Sequence, residues 1–304
     1  MKKPVYILIV FLALGLTGFA FLTPKATYFN TQGPSDDYKI HALVIPQKAS
    51  FAGEEVDLTP TDLKERMDKE LLVNTYWQSN TLLMIKRANK YFPQIEKILK
   101  EEGVPDDFKY LALIESGLEQ VISPAGAKGF WQIMRTTGKE MGLEINSNVD
   151  ERYNIELSTR VACQYLKKAK EKLGTWTLAA ASYNRGISGI KRLLEKQQVD
   201  NYYDLLLGTE TKRYVFRILA VKAIVTQPER FGFIINSNDL YPHTETKTIA
   251  VDTAITNIAR FAKSMNMTYK EFKLHNPWLI QNHLNNKSRK LYHIELPVTA
   301  TVGP

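Results

Sequence analysis

One glutamate in this sequence stands where a carboxyl group would be suited to proton transfer. Glu115 follows the apolar residues 111–114 and precedes Ser116 and Gly117. This pattern predicts a buried helix that ends at about Glu115, because glycine commonly follows the last helical residue. Removal from water and the negative end of the helix dipole both raise the pKa of such a carboxyl group. Glu115 is therefore a candidate general acid, and the alternative is a glutamate that ends the helix and points into solvent.

Short motifs of polar and small residues follow Glu115. The segment 122–129 contains glycines and alanines, which allow close approach of a backbone or a substrate, and it leads into Phe130-Trp131-Gln132. Further along come Asp-Glu-Arg-Tyr-Asn at 150–154, Ala-Ser-Tyr-Asn-Arg-Gly at 181–186 and Glu-Thr-Lys-Arg-Tyr at 210–214. The first and last residues of the motif at 210–214 are four apart, so they share one face of a helix.

The order of these motifs over about residues 63–233 resembles the catalytic core of the bacterial lytic transglycosylases, which cleave the glycan strands of peptidoglycan. The arrangement is most similar to the membrane-bound murein transglycosylase D type, in which this core precedes C-terminal LysM modules. The resemblance implies that Glu115 is the catalytic residue. It also implies that a set of polar residues binds the substrate: Ser116, Ser123, Gln132, Tyr153, Asn154, Tyr183, Asn184, Glu210 and Tyr214.

The resemblance gives some of these residues a more definite place. Ser123 matches a serine that contacts the sugar beside the cleaved bond, although its interval from Glu115 is one residue shorter here. Tyr183 is expected to reach toward Glu115 and to help hold both it and the substrate. Gln132 is expected to bind sugar hydroxyl and N-acetyl groups, and the alternative is a hydrogen bond within the protein.

The number of carboxyl groups bears on the mechanism. Hydrolysing glycosidases usually use two carboxyl groups, whereas only Glu115 stands in a strong motif here. The resemblance implies that Glu115 protonates the oxygen between N-acetylmuramic acid and N-acetylglucosamine. It then takes the proton of the muramoyl O6 hydroxyl, and a 1,6-anhydro ring forms without water. Two alternatives stay open: hydrolysis with a second acid such as Glu210 or Asp150, and an inactive envelope protein that binds glycan. Glu210 has a further alternative, which is to pair with Arg213 or Arg217.

Composition restricts the range of partners. The net charge of +8 and the pI near 9.2 come without a concentrated basic run, and no nucleic-acid-binding motif is present. Cys163 is the one cysteine, so no internal disulfide forms, and neither CxxC nor HExxH spacing occurs. We therefore expect no metal, no other cofactor and no nucleic acid. The expected partner is the peptidoglycan glycan strand.

The N-terminus carries a targeting pattern. Lys2 and Lys3 precede an apolar run at 5–22, which is typical of a signal sequence. Residues 1–26 are interpreted as a signal peptide or as an uncleaved anchor that would associate the protein with the membrane. No cysteine follows the run, so a lipid anchor is not expected. In either case we expect the protein in the cell envelope, on the periplasmic side. Residues 27–58 are interpreted as a linker or a strapping segment.

Two folded regions are expected beyond residue 58. Residues 59–235 show helical apolar spacing, as at Leu63, Met67 and Leu71, and predict a mainly α domain. The resemblance implies that this domain is lysozyme-like and all-helical. Residues 245–298 show a strand-helix-helix-strand pattern, resemble a LysM module and predict a small α+β unit. This module either binds glycan or only packs on the catalytic domain, and the protein is expected to be a monomer.

Overall fold

The computed structural model describes residues 40–298, of which 43–298 belong to one compact unit. The predicted signal peptide or anchor at 1–26 lies outside the described residues. Within residues 40–298, every helix is too short or too polar to cross a bilayer.

The larger part of this unit is helical, as the sequence predicts. Its helices are α1 (Thr61–Tyr76), α2 (Gln78–Glu101), α3 (Lys109–Ser116), α4 (Arg135–Glu140), α5 (Ile155–Leu173), α6 (Trp176–Arg185), α7 (Ile187–Gln197) and α8 (Thr209–Thr226). Helix α8 packs on α1, α3 and α6 and buries side chains on most of its circumference. A helix that is apolar nearly all round belongs at the centre of a domain, and α8 accordingly brings its residues against the end of α3.

Helix α2 continues through a proline. The sequence suggests two helices separated near Pro93, because proline removes a backbone donor and crowds the preceding turn. In the structure one helix runs from Gln78 to Glu101 and keeps its buried face on both sides of Pro93, with Ala88, Phe92 and Ile95 against the core. Burial of this continuous apolar face outweighs the local cost of the proline.

A β-hairpin precedes the helices and corrects part of the predicted linker. Strands β1 (Lys48–Phe51) and β2 (Glu54–Asp57) pair antiparallel. Phe51, Val56 and Leu58 are buried in the same core as the helices. Alternating polar and apolar residues in such short strands give a weak signal, and contact with the helical core provides the burial that orders them. Residues 48–58 are therefore part of the folded unit.

The C-terminal module has the predicted strand-helix-helix-strand order. Strand β3 (Thr246–Val251) pairs antiparallel with β4 (Tyr292–Pro297), and α9 (Ile258–Ser264) and α10 (Tyr269–His275) lie between them in the chain. A separate apolar cluster fills the module, and Val149 and Tyr153 of the helical domain join that cluster. The module is thus a small α+β unit whose core extends into the domain before it.

Hydrogen bonds and ion pairs fix the module to the segment 144–151. The backbone N–H of Asp150 donates to the carbonyl oxygen of Trp278 at 2.9 Å. The Lys290 ammonium group contacts Glu144 at 2.7 Å and Glu151 at 2.8 Å. The module therefore packs on the helical domain, as one of the two alternatives requires, and its binding of glycan stays a prediction.

Candidate active site

Glu115 lies in the last turn of α3. Residues 111–113 of this helix are fully buried, and Gly117 ends it with a positive φ of 61°. The N–H of Gly117 donates to the carbonyl oxygen of Leu113 at 2.8 Å, which closes the helix. The Glu115 side chain is partly exposed. The carboxyl group therefore stands at the boundary between the apolar core and the surface.

Tyr214 is the hydrogen-bond partner of Glu115. Its hydroxyl group donates to Oε1 of Glu115, and the tyrosine itself is only 2% exposed. Burial raises the pKa of Glu115 above its usual value of 4.5, and the charge of Glu210 adds to this rise. The hydrogen bond from Tyr214 and the charge of Arg217 act in the opposite direction. The carboxyl group is thus an acid with a raised pKa, and its ionised form also has a donor and a cation beside it.

Tyr183 supports the neighbouring loop instead of holding Glu115 by a hydrogen bond. Its hydroxyl group donates to the carbonyl oxygen of Trp131 at 2.8 Å. Burial raises the pKa of Tyr183, and the nearby charge of Glu115 raises it further. Tyr183 is therefore close enough to Glu115 for that charge to act on it, and the hydrogen bond to Glu115 is made by Tyr214. A role of Tyr183 in holding Glu115 and the substrate stays a prediction.

The loop after α3 is tied to the helix that carries Glu115. The Ser116 hydroxyl group donates to the carbonyl oxygen of Phe130 at 2.9 Å and accepts from the N–H of Leu118 at 3.1 Å. The Gln132 side-chain amide donates to the carbonyl oxygen of Gly129 at 2.8 Å. This bond is the alternative considered for Gln132, and the sugar-binding roles of Ser116 and Gln132 stay predictions.

A buried ion pair holds this loop from the other side. Asp150 is only 3% exposed and accepts from Nε and Nη2 of Arg152 at 2.9 and 2.8 Å. The remaining guanidinium nitrogen of Arg152 donates to the carbonyl oxygens of Gly126 and Ile133 at 3.1 and 3.3 Å. Burial alone would raise the pKa of Asp150, but Arg152 and Lys128 lower it. Arg152 and Lys128 therefore favour the ionised form of Asp150, whereas a general acid must be protonated.

Three other predicted substrate residues make structural contacts. The Ser123 hydroxyl group accepts from the N–H of Ala127 at 3.0 Å, which closes the loop. Asn154 caps α5 by accepting from the N–H of Leu157 at 3.0 Å. Tyr153 is 9% exposed and packs into the cluster of the C-terminal module. These contacts explain why the motif needs these residue types, and a role in substrate binding stays a prediction for each.

Asn184 and Glu210 are exposed and lie at the facing ends of α6 and α8. The Thr211 hydroxyl group donates to Oδ1 of Asn184 at 2.7 Å and joins the two helices. Glu210 accepts from Arg217 at 3.2 Å, which is one of the alternatives considered for it. The charge of Glu210 raises the pKa of Glu115, so Glu210 lies near that carboxyl group. A role of Asn184 or Glu210 in substrate binding stays a prediction.

Sequence reasoning missed a buried glutamate beneath this site. Glu70 of α1 accepts from Arg213 at 2.5 and 3.3 Å and lies 3.7 Å from Nε of Arg217. It therefore anchors the arginine whose charge acts on Glu115. The available signal was the position of Glu70, seven residues after Leu63 on the apolar stripe of α1. A carboxyl group on such a stripe requires a buried partner.

A groove of about 850 Å³ lies on the side of Tyr183 and Gln132. Its other walls are formed by α4, α5 and the start of α7, with Met134, Thr137, Tyr165, Gly186 and Arg192 among the lining residues. The lining has both apolar and polar groups. It suits a sugar chain, because a sugar presents the apolar faces of its ring as well as its hydroxyl groups. The groove adjoins the tyrosine that lies near Glu115.

Within residues 40–298 no cluster of histidine, cysteine, aspartate and glutamate has the arrangement of a metal site. Cys163 is buried, and burial raises the pKa of its thiol to about 12. It therefore packs as a small apolar residue.

Two family models match the chain in order. Residues 92–205 match the transglycosylase SLT domain, and residues 247–300 match the soluble lytic transglycosylase C-terminal LysM-like domain. The first match contains Glu115, the loop 118–133 and Tyr183, and the second contains most of the C-terminal module. The division of the chain into a helical domain and a small module thus corresponds to two known domain types.

Among curated proteins, the chain is similar to membrane-bound lytic murein transglycosylase D of Escherichia coli. The two are 29% identical over 199 residues, which are 62% of this chain and 43% of that protein. The same protein from a second strain gives the same values. The chain therefore spans less than half the length of these relatives.

Solved structures of lytic transglycosylases also overlap with part of the chain. An inactive mutant from Pseudomonas aeruginosa has a TM-score of 0.37 and 21% identity, over 52% of this chain and 26% of that one. The 70 kDa soluble lytic transglycosylase of Escherichia coli has a TM-score of 0.38 and 16% identity, over 58% and 33%. These overlaps are partial, and the domain assignment depends on the two family models.

Proposed function

We propose that this chain, which carries a transglycosylase SLT domain followed by a LysM-like C-terminal domain, is a peptidoglycan lytic transglycosylase. Such an enzyme is a lyase that cleaves glycan strands without water. The observation that carries the proposal is the environment of Glu115. This carboxyl group has a raised pKa, ends a buried helix and accepts a hydrogen bond from Tyr214. The name of the similar Escherichia coli protein, a lytic murein transglycosylase, supports the same substrate.

The first step of the proposed reaction uses Glu115 as an acid. Its raised pKa keeps a larger fraction of the side chain protonated than an ordinary glutamate. The proton passes to the oxygen that joins C1 of N-acetylmuramic acid to C4 of N-acetylglucosamine. The C1–O4 bond then breaks, and the N-acetyl carbonyl of the same muramoyl unit stabilises the positive charge that develops at C1.

The second step uses the same side chain as a base. The Glu115 carboxylate takes the proton of the muramoyl O6 hydroxyl, O6 bonds to C1, and a 1,6-anhydro ring closes. Proton and charge balance, because the proton given to O4 is replaced by the proton from O6. Tyr214 and Arg217 favour the ionised carboxylate between the two steps. Burial therefore keeps Glu115 protonated before the first step, and the two polar neighbours stabilise the carboxylate that the first step leaves.

The groove beside Tyr183 and Gln132 is the proposed path of the glycan strand. Its volume of about 850 Å³ is large enough for more than one sugar ring. Glu115 itself is not among the lining residues, and Tyr183, which forms part of the wall and whose pKa is raised by the charge of Glu115, is the link between the groove and the carboxyl group that this path requires. Asn184 and Glu210 would then contact the strand from the exposed side.

Hydrolysis is the competing reaction, and Glu210 is its candidate second acid. The charge of Glu210 raises the pKa of Glu115. However, the Glu210 carboxylate is exposed and forms an ion pair with Arg217 at 3.2 Å. Asp150 is already neutralised by a buried arginine. The proposal therefore predicts anhydro ends instead of reducing ends on the glycan products.

Replacement of Glu115 tests the proposed function. Glu115→Gln keeps the shape of the side chain but removes the proton donor, so release of soluble fragments from peptidoglycan should fall at least about a thousandfold. Mass spectrometry of the wild-type products should show 1,6-anhydro ends. Glu65→Gln, on the exposed face of α1, is the matched control and should keep full activity. Substantial turnover by the Glu115 variant would exclude this assignment.

The proposed location is the periplasmic side of the cell envelope, where the substrate lies. The charged and apolar pattern at 1–26 supports export or anchoring of the chain. A monomer remains the expected state.

A further inference from the structure

A second cavity lies between the helical domain and the C-terminal module. Its volume is about 1000 Å³, and its walls come from α2 and the start of α5 on one side and from β3, α10 and β4 on the other. Tyr153 and Asn154, which are predicted to bind substrate, line this cavity and do not line the groove beside Tyr183. The proposed cleavage reaction does not use this cavity and assigns no ligand to it.

One wall of the cavity carries basic groups that form no ion pair with a carboxylate of residues 40–298, although the charge of Glu271 acts on one of them, His275. Lys273 of α10 is partly buried, and its nearest acceptor is the carbonyl oxygen of Gln281 at 3.4 Å. Burial lowers the pKa of Lys273. Burial also lowers the pKa of His275, and the charge of Lys90 lowers it further, so these two groups are close together. We call Lys90, Lys273 and His275 the basic wall.

The opposite charge occurs on β4. Glu295 is partly buried in the cavity, and Gln94 of α2 donates to its carboxylate at 3.2 Å. Among residues 40–298 no lysine or arginine comes within ion-pair distance of this carboxylate. Burial raises the pKa of Glu295, and the charge of Glu156 adds to the rise. The cavity thus holds a carboxyl group and an amine that are each partly removed from water and have no ion-pair partner among residues 40–298.

These unpaired charges indicate the chemistry of a ligand. A partly buried charge is costly unless an opposite charge or hydrogen bonds compensate it. A ligand with a free carboxylate and a free amine would neutralise both walls at once. In a peptide-bearing strand the lactyl carboxyl group of N-acetylmuramic acid is bound in the amide to the peptide, and the other sugar groups are neutral, so the glycan backbone alone does not account for the charges.

We propose that this cavity binds the short peptides attached to peptidoglycan strands, with peptide carboxylates at the basic wall and a peptide amine at Glu295. This inference depends on the proposed function for the source of the peptide. It assigns the C-terminal module half of a specificity site, since Lys273, His275 and Glu295 all belong to the module. Peptide-bearing strands are therefore preferred over bare strands.

The cavity is close enough to the cleavage site for one strand to occupy both. Phe130 lines the cavity, and its carbonyl oxygen accepts from Ser116, the residue after Glu115. Gln120 also lines it and donates to the carbonyl oxygen of Tyr153 at 3.0 Å. The peptides branch from the muramoyl unit, which is the sugar whose C1 is attacked. A four-residue peptide extends to about 14 Å, which is enough to pass one loop.

Kinetics on two forms of glycan strand test this site. One form carries its peptides, and an amidase has removed them from the other. Glu295→Gln and Lys273→Ala in the full chain should each raise KM for peptide-bearing strands about tenfold, because each removes a charged partner. The kcat value should not change. KM for bare strands should not change in Glu295→Gln, because the amidase leaves a lactyl carboxylate on the strand but no amine. Lys64→Ala and Glu65→Gln, which are exposed on α1, are matched controls.

Binding of a free tetrapeptide separates this inference from the proposed function. The probe has one primary amine and a terminal carboxylate, and calorimetry measures its affinity for each full-length variant, with circular dichroism to verify folding. Weaker binding by both variants supports the site even if no strand is cleaved, and in that case only the proposed function fails. The inference is overturned if both variants leave tetrapeptide affinity and KM for peptide-bearing strands as in the wild type.

Discussion

Glu115 is subject to opposing influences that suit the two roles proposed for it. Burial is the largest and favours the protonated form, whereas Tyr214 and Arg217 favour the carboxylate. A group that gives up a proton and then accepts another needs access to both states. The pH dependence of the reaction should therefore respond to each neighbour separately.

Tyr214→Phe removes the hydrogen bond that favours ionised Glu115. The pKa of Glu115 should rise further, so the alkaline limb of the pH–rate profile should move to higher pH. The value of kcat should fall about tenfold, because the carboxylate formed after the acid step loses its donor. Profiles of kcat against pH for the two proteins measure both effects. Tyr269→Phe, which alters an exposed tyrosine of the module, is the control and should leave the profile in place.

Glu115 should also make the wild-type protein less stable as the pH rises. Its folded-state pKa is raised above 4.5, so the folded state binds the proton more tightly than the unfolded state. Stability from this group is complete below pH 4.5 and is lost as the pH rises through the folded-state pKa. Glu115→Gln cannot ionise and should become the more stable protein above that window. Urea unfolding at several pH values tests this, and a stability difference that does not vary with pH would contradict it.

At the scale of elements, the loop 118–133 depends on close backbone contacts as well as on side chains. Gly129 has a φ of 76°, and a Cβ atom there would lie 2.1 Å from the carbonyl oxygen of Arg152. Gly126 has a similar φ of 84° but open space around it. Alanine at either position would strain the backbone, but only alanine at Gly129 would also overlap with another part of the backbone. Comparing the two substitutions therefore separates the free-energy cost of the strain from that of the overlap.

Gly129→Ala should destabilise the fold by more than about 3 kcal/mol, because strain and overlap with backbone act together. Gly126→Ala should cost only about 1 kcal/mol, from the left-handed conformation alone. Chemical denaturation of both variants measures the difference. Equal costs would mean that the loop does not approach Arg152 as closely as described.

The sequence predicted those helix features that depend on neighbouring residues, such as where α3 ends. Gly117 ends α3 as expected, because a glycine after the last helical residue is a signal contained in the local sequence. The hairpin at 48–57 and the unbroken α2 were not predicted, since each depends on burial against distant segments. In the site, the hydrogen bond to Glu115 comes from Tyr214, which is 99 residues away. Choosing between Tyr214 and Tyr183 required the packing of α8 on α3.

At the scale of the whole molecule, the apolar core of the C-terminal module includes side chains of the helical domain. Tyr153 packs into the module, and the neighbouring Asp150–Arg152 pair holds the loop beside Glu115. Lys290 contacts Glu144 and Glu151, and Glu151 is only 4% exposed. The module is therefore expected to unfold together with the loop it contacts.

Lys290→Met should lower the free energy of unfolding by about 1–2 kcal/mol, because it leaves Glu151 buried without its cation. This value is below that of a fully buried pair, since the lysine side chain is 42% exposed and screened by water. Lys287→Met, on an exposed lysine of the same loop, should have no measurable effect. Thermal unfolding monitored by tryptophan fluorescence measures both. A loss of stability confined to the module would contradict the shared core.

The central claim is that one carboxyl group cleaves the glycan strand without water, and the fate of solvent oxygen tests it most directly. Peptidoglycan is digested with the full chain in water enriched in heavy oxygen, and the new chain ends are analysed by mass spectrometry. Attack by the muramoyl O6 should give 1,6-anhydro ends that contain no heavy oxygen. New reducing ends that carry the label would contradict it and would indicate hydrolysis.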